Sequence, residues 1–347
     1  MGRLKKAAFR LATVGAGVYV AGRIARERNR IDFAGRVVVI TGGSRGLGLL
    51  MARRFGAEGA RLALLARDEE ELQRAEQELT AGGTEVLSVP CDVRDQNSVQ
   101  DAMGRVLEHY GQIDVLINNV GIIQVGPVEH MQLEDFQAAV DTHLWASLYT
   151  TLAVLPHMRE RGAGRIANIA SIGGKFALPH MTPYTASKFA QVGLSDALRA
   201  ELAKDGILVT TVIPFVMRTG SHLNASFKGQ QELEFTLFAL FGALPPNSVD
   251  GAAAARSIVE ACRYGDPELV VGLQARALIL ANALFPNLVA KATALMGRFM
   301  PRPTGAEGDQ TKSGWESRSP LAPSSVTRLA DRATVENNEL RGHQPPA

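Results

Sequence analysis

Tyr184 and Lys188 stand four residues apart in a stretch whose pattern is helical, so their side chains leave the same face. A free phenol titrates near ~10 and is a poor base at neutral pH, but an ammonium beside it favours the phenolate. The pair is suited to giving or taking a proton. Ser171, thirteen residues earlier at the end of an apolar run, adds a hydroxyl that can donate to a substrate oxygen and orient it against the phenol. A surface helix would carry the same tyrosine and lysine for solubility alone, and it is the neighbouring sequence that argues against this.

A second constellation lies nearer the N-terminus. The apolar run Val37 to Ile40 passes into Thr41-Gly42-Gly43-Ser44-Arg45-Gly46-Leu47-Gly48, and a helical pattern follows through Leu50, Ala52 and Phe55. Gly42 can take the tight turn, Gly46 lets the backbone approach a pyrophosphate, and Gly48 lets the helix pack closely with its N-terminus facing the anion. That is the build of a dinucleotide site, and hydride transfer would belong to the cofactor. Lys188 can then also bond the nicotinamide ribose, and an oxidised nicotinamide joins the ammonium in favouring the Tyr184 phenolate. At the end of the second strand, Ala66 stands where a carboxylate would hold the ribose hydroxyls, while Arg67 and Arg45 can grip a 2′-phosphate. NADP(H) is therefore expected in preference to NAD(H), although Asp68 sits one place beyond.

The elements that must position these groups are short apolar runs separated by helical patterns. They are Val37 to Ile40, Leu62 to Ala66, Val86 to Val89, Val115 to Asn118, Arg165 to Ala170, Leu208 to Ile213 and Leu269 to Val271. Continuous Val/Ile/Leu runs without polar alternation imply a sheet covered on both faces. The expected fold is α/β, a doubly wound parallel sheet of the Rossmann type with about seven strands.

The turn resembles the T-G-x-x-x-G-x-G of the short-chain dehydrogenase/reductase family, and other motifs of that family follow in order. Cys91-Asp92-Val93 looks like the acidic site that holds the adenine, Asn118-Asn119-Val120-Gly121 resembles its N-N-A-G, and Tyr184 to Lys188 its Y-x-x-x-K. The likeness covers residues 36 to 272. It implies carbonyl–alcohol interconversion, with Ser171, Tyr184 and Lys188 catalytic. It also implies cofactor contacts from Thr41, Gly42, Ser44, Arg45, Gly46, Leu47, Gly48, Arg67, Asp92, Val93, Asn119, Tyr184, Lys188 and Thr219. Two positions depart from the pattern. His143 replaces an asparagine that helps hold a water linking the lysine to solvent, so an imidazole could take over that relay or disrupt it. Phe215 and Met217 replace the glycine and valine of the P-G-x-V-x-T that ends at Thr219, and a phenylalanine stiffens the backbone there.

The segment Gly220 to Pro246 carries Phe227, Leu233, Phe235, Leu237, Phe238, Leu240 and Phe241, with His180, Met181 and Met217 near the expected pocket. These fit a lipophilic carbonyl or alcohol such as a steroid, retinoid or long-chain ketone. They fit equally a core, or the interface of a homo-oligomer. A net charge of +2 gives no electrostatic case for nucleic acid. Cys91 and Cys262 lack ligand spacing, which argues against zinc and suits a reducing compartment.

Four regions are expected. Residues 1 to 33 are basic around an apolar stretch and read as a membrane-surface helix or an organelle-targeting peptide on an otherwise cytoplasmic enzyme. Residues 34 to 272 form the catalytic domain. Residues 273 to 302 form an apolar extension broken at Pro286, which docks on a membrane surface or packs on the core. Residues 303 to 347, rich in Pro, Ser, Thr and charge, are expected to be disordered. The rival readings are a dinucleotide-binding regulator or scaffold with little turnover, and an epimerase or dehydratase on the same scaffold.

Overall fold

In the computed structural model, which describes residues 21–340, the seven apolar runs form one parallel sheet. Its strands are β1 (Val37–Thr41), β2 (Arg61–Ala66), β3 (Val86–Pro90), β4 (Val115–Asn118), β5 (Gly164–Ile169), β6 (Ile207–Pro214) and β7 (Glu268–Val271), in the spatial order β3-β2-β1-β4-β5-β6-β7. Helices cover both faces. Val38 and Ile40 of β1 point to a core made with α1 (Gly46–Gly56), α2 (Glu69–Ala81) and α8 (Gly251–Tyr264), the last named after its place in the chain. Val37 and Val39 point the other way, to α3 (Gln96–Tyr110) and α5 (Ala146–Arg161). Both sets are buried, which is why the runs show no polar alternation.

The chain leaves β1 toward β2 and β3 but continues from β4 toward β5, β6 and β7. The carboxyl ends of β1 and β4 therefore open a crevice where the winding reverses. The remaining helices are α4 (Leu133–Val140), α6 (Thr182–Leu202), α7 (Gln231–Ala243), α9 (Leu273–Leu284), α10 (Pro286–Gly297) and α11 (Arg328–Glu336). Of these, α6 runs beside β6 and brings Tyr184 and Lys188 to the crevice.

Asp114 locks the opposite edge of the strands. Its buried carboxylate accepts from the Val37 amide at 2.9 Å, Arg36 at 3.0 Å, Arg161 at 2.8 Å and Gln112 at 2.9 Å. Burial opposes its charge, yet the amide and the two guanidiniums hold it below the usual carboxylate range. Both cysteines are buried, and burial pushes the Cys262 thiol up to about 12.

Each end of the chain is described only in part. Residues 1–20 and 341–347 lie outside the described residues. Residues 21–28 are helical, and Arg26 pairs with Asp266 at 2.7 Å. Phe33 belongs to the catalytic core, fully buried edge-on to Phe55 at 4.8 Å. Among the described residues no single helix is long and apolar enough to cross a membrane. Pro286 starts α10 after a break that turns it 120° from α9.

The segment 303–340, expected to be disordered, is folded onto the domain. Lys312–Ser313 pairs with Ser226–Phe227, which in turn pairs with Gln124–Val125. Apart from Trp315 its anchors are small or polar, so apolar periodicity does not reveal them. Ala330, Ala333 and Thr334 form the buried face of α11, and a side chain on Gly220 would meet Thr334 Cα at 2.5 Å. His130 accepts from the Thr304 amide at 2.9 Å and holds Asp309 at 2.8 Å.

Replacing Asp114 with alanine leaves two guanidiniums and an amide without their shared partner. Equilibrium denaturation is expected to show a loss of about 3 kcal/mol with an unchanged denaturant slope. A loss below the error of extrapolation would show that the strand ends do not depend on this carboxylate.

Candidate active site

One cleft of about 690 Å³ joins the glycine turn to the tyrosine–lysine pair. Its one wall includes Ser44 to Leu47, Arg67 and Asp92, and the other Ser171, Tyr184, Lys188 and Thr219. The turn has no room for side chains. A Cβ on Gly48 would lie 1.9 Å from the Gly42 carbonyl oxygen, and Gly46 takes φ +55. Gly46 also begins α1, so the first amides of that helix face the cleft. This is a cradle that fits a pyrophosphate.

Thr41 and Asn119 hold the turn in place from behind. Thr41 Oγ1 donates to the Ile117 carbonyl at 3.2 Å and accepts from the Asn119 amide at 2.9 Å. Asn119 Nδ2 donates to the carbonyls of Thr41 at 3.1 Å and Gly42 at 3.2 Å. Asp92 lines the cleft beside Val93, and its carboxylate pairs with Arg94 at 2.6 Å, which keeps it below the usual range. Asp68, the acid that left the cofactor expectation open, caps α2 by accepting from the Glu71 amide at 2.9 Å. Arg67 is exposed at the rim. Arg45 is not: it pairs with Glu71 at 3.4 Å and with Glu339 at 3.0 Å.

At the other end Tyr184 and Ser171 line the same stretch of the cleft, and Ser171 Oγ accepts from the Gly173 amide at 3.0 Å. Lys188 Nζ lies 5.9 Å from the centre of the Tyr184 ring and donates to the Ile169 carbonyl and to Gln191 Oε1, both at 2.9 Å. Neither acceptor is charged, and burial pushes the Lys188 ammonium down to about 7. Burial raises the Tyr184 phenol above its ordinary value, against the pull of Ser171. The phenolate expected from the lysine together with an oxidised nicotinamide concerns the occupied cleft; in the free protein enclosure sets the direction.

His143 sits in a π-helical turn, Asp141–Trp145, between α4 and α5. The Ile122 amide donates to its Nε2 at 3.1 Å, so Nδ1 carries the proton toward Ser187 Oγ at 2.7 Å. Burial and the nearby Lys188 hold the ring well below its ordinary value. Both nitrogens are committed to the protein, which of the two alternatives, relay or disruption, favours disruption. The ring packs edge-on to Tyr184 at 5.4 Å instead.

Gln191, Ser147 and Asn168 escaped the sequence reading. Gln191 binds Lys188 and donates to Ser147 Oγ at 2.9 Å, which donates to the His143 carbonyl at 2.8 Å. Its place three residues beyond Lys188, on the same helix face, was the available signal. Asn168 accepts from Asn118 at 2.9 Å and donates to Ser195 at 3.0 Å, tying β4 and β5 to α6. Thr219 bonds Ser221 at 3.1 Å. The aromatics divide. Phe227 and Phe235 fill the core, Phe238 lines the cleft with Leu178 and Met181, and Phe241 is half exposed. His180 turns away to bind the buried Glu234 at 2.6 Å.

The profile for short chain dehydrogenases matches residues 36–228, more than half of the chain. A dehydrogenase/reductase SDR family member 7B from Danio rerio is 32% identical over 311 residues, covering 85% of this chain and 98% of that protein. The chain belongs to the short-chain dehydrogenase family.

A dehydrogenase/reductase SDR family protein 7-like from Anopheles gambiae is 39% identical over 204 residues, 57% of this short-chain dehydrogenase and 64% of that relative. Among solved structures, L-sorbose reductase from Gluconobacter frateurii, complexed with NADPH and L-sorbose, has a TM-score of 0.63 at 27% identity. That match covers 70% of this chain and 97% of the reductase. The chain is thus an oxidoreductase by family, with the family's parallel sheet.

Burial of Lys188 has a measurable consequence in this short-chain dehydrogenase. With the folded value near 7 and the unfolded value at 10.5, the unfolded chain holds more protons between those limits, so wild-type stability rises with pH across that window. Relative to wild type, Lys188→Met is expected to gain about 5 °C in melting temperature as pH falls from 10.5 to 7. A gap that does not change with pH contradicts the burial of an uncompensated amine.

Proposed function

We propose that this chain interconverts a carbonyl and a secondary alcohol with NADP(H), and that Tyr184 is the general acid and base. The observation that carries this reading is that Ser171, Tyr184 and Lys188 line one cleft with the glycine turn. When bound, the cofactor supplies or accepts the hydride. Everything else falls to the chain. Ser171 donates to the substrate oxygen, Tyr184 delivers the proton to that oxygen in reduction and takes it back in oxidation, and Lys188 holds the ribose and restores the phenol. His143 acts as a positioning residue, bracing the Tyr184 ring and holding Ser187 and the Ile122 amide. Thr41 and Asn119 shape the turn. Glycine backbone from Gly42 to Gly48, with Ser44, Leu47, Asp92, Val93 and Thr219 around it, forms the dinucleotide bed.

The choice of NADP(H) over NAD(H) rests on Arg67, exposed at the rim of β2, and on Asp68 being occupied as a helix cap. The substrate reading rests on Leu178, Met181, Phe215, Met217 and Phe238, an apolar wall facing Tyr184 that suits a lipophilic carbonyl. Two surfaces support the assembly and placement readings. Trp145 of the π turn, Leu152 of α5 and Phe189 of α6 are exposed apolar side chains that suit contact with a second copy of the chain. Leu280, Leu284, Phe285, Leu288 and Phe299 are exposed on the α9–α10 hairpin, where Arg276, Lys291 and Arg298 stand with no acidic residue, and this suits an anionic membrane surface.

A panel of lipophilic ketones followed by NADPH absorbance tests the reading. Tyr184→Phe is expected to lower kcat by about 10²–10⁴ while NADPH still binds. Arg67→Ala is expected to lower kcat/KM for NADPH by roughly 10- to 100-fold and leave NADH nearly unaffected. NADPH bound but never consumed points to a dinucleotide-binding regulator, and product formed without net NADPH use points to an epimerase or dehydratase. An equal loss with both cofactors removes Arg67 from phosphate recognition.

A further inference from the structure

The anion seat of the glycine turn is in contact with the chain's own C-terminal segment. The Gly46 amide donates to the Asn337 carbonyl at 2.8 Å. A Cβ on Gly46 would lie 2.5 Å from Glu339 Oε1. Glu339 is buried, and its Oε2 meets Arg45 Nη1 at 3.0 Å and Asn224 Nδ2 at 2.6 Å. Asn338, held at φ +58, donates to the carbonyls of Ser44 at 2.8 Å and Glu71 at 3.0 Å. Asn337 Nδ2 reaches across to the Thr219 carbonyl at 3.2 Å. Residues 337–339 therefore form a strap joining the two lips of the cleft, the glycine turn on one side and the Thr219–Asn224 loop on the other.

The chemistry of the contact is that of a phosphate. A carboxylate beside an arginine and the first amides of a helix satisfies the charge that the turn offers to an anion. A phosphate of the dinucleotide needs the same amides and the same guanidinium, and two anions cannot share them without repulsion. Arg45 is withdrawn from the cofactor as long as Glu339 holds it. The strap is tied to α11 through the Glu339 amide, which donates to the Thr334 carbonyl at 3.0 Å, so its release must strain or move that helix.

We propose that residues 337–339 are an internal competitor of the dinucleotide, with Glu339 standing in for a phosphate, so that cofactor binding displaces the strap. This inference rests on the dinucleotide reading of the cleft. It is a property of binding, separate from turnover. A ligand that must displace a competing contact has its affinity reduced by the fraction of molecules in which the site is open, and weakening the contact restores it.

Two measurements on the full chain test it. Titration followed by NADPH and NADH fluorescence is expected to show Glu339→Gln binding both cofactors about tenfold more tightly than wild type, with the larger gain for NADPH. Hydrogen exchange on the wild type is expected to show residues 330–340 exchanging faster once NADPH is bound. The second readout stands even if the variant does not fold. Unchanged or weaker binding by Glu339→Gln, or slower exchange of the strap on binding, overturns the competitor and leaves the cofactor site intact. Binding of neither dinucleotide by either form overturns the dinucleotide reading and the competitor with it.

Discussion

An amine enclosed in protein, with only a carbonyl and an amide oxygen to receive it, is stable as a charge only with help from outside. That is the condition of Lys188, and the surrounding structure is arranged around it. The Ile169 carbonyl is available because β5 ends there, and Gln191 because it lies one turn further along α6. Gln191 is fixed by Ser147, and Ser147 by the carbonyl of His143 in the π turn. A charge-neutral network of this kind holds an ammonium in position while leaving its proton affinity low. Negative charge arriving in the cleft with a dinucleotide then raises that affinity. The resting lysine and the phenol beside it are both tuned by burial, and the cofactor reading supplies what shifts them.

The glycine turn poses the complementary problem. Helix α1 presents its first amides and Arg45 presents a charge, both at the point where β1 and β4 diverge. Such a site attracts an anion. Glu71 partly answers Arg45 from the side, and Glu339 answers it from the front. The same C-terminal segment also reaches the substrate side, where Trp315 and Ala322 pack in one apolar cluster with Met181, Phe238 and Tyr184. Cofactor bed and substrate wall thus share one covering piece, and a shift in it is felt at both.

Most of the sheet was legible because buried parallel strands leave a signature that needs no partner to be read. Val37 to Ile40 and Leu62 to Ala66 are apolar at every position since both faces are covered. Tyr184 and Lys188 were legible because helix spacing alone places them together, and Gly48 because no side chain fits beside the Gly42 carbonyl. What escaped depends on contacts between distant segments. Nothing near Glu339 in sequence reveals that it meets Arg45, and Thr334 in α11 reads as ordinary polar chain until Gly220 is seen to leave room for it. His143 was identified as a departure, but the occupation of both its nitrogens required the positions of Ile122 and Ser187. The upward shift of Tyr184 in the free protein was out of reach for a similar reason, since depth of burial is a property of the whole fold.

The account turns on a lysine that is near its titration point when the cleft is free and fully charged when a dinucleotide is bound. Calorimetric titration of NADPH at pH 8, repeated in buffers of different ionisation enthalpy, reads this as proton uptake on binding. The account predicts uptake approaching about one proton in the wild type and close to none in Lys188→Met. Binding of NADPH with no proton uptake by the wild type, or with equal uptake by both proteins, would contradict it.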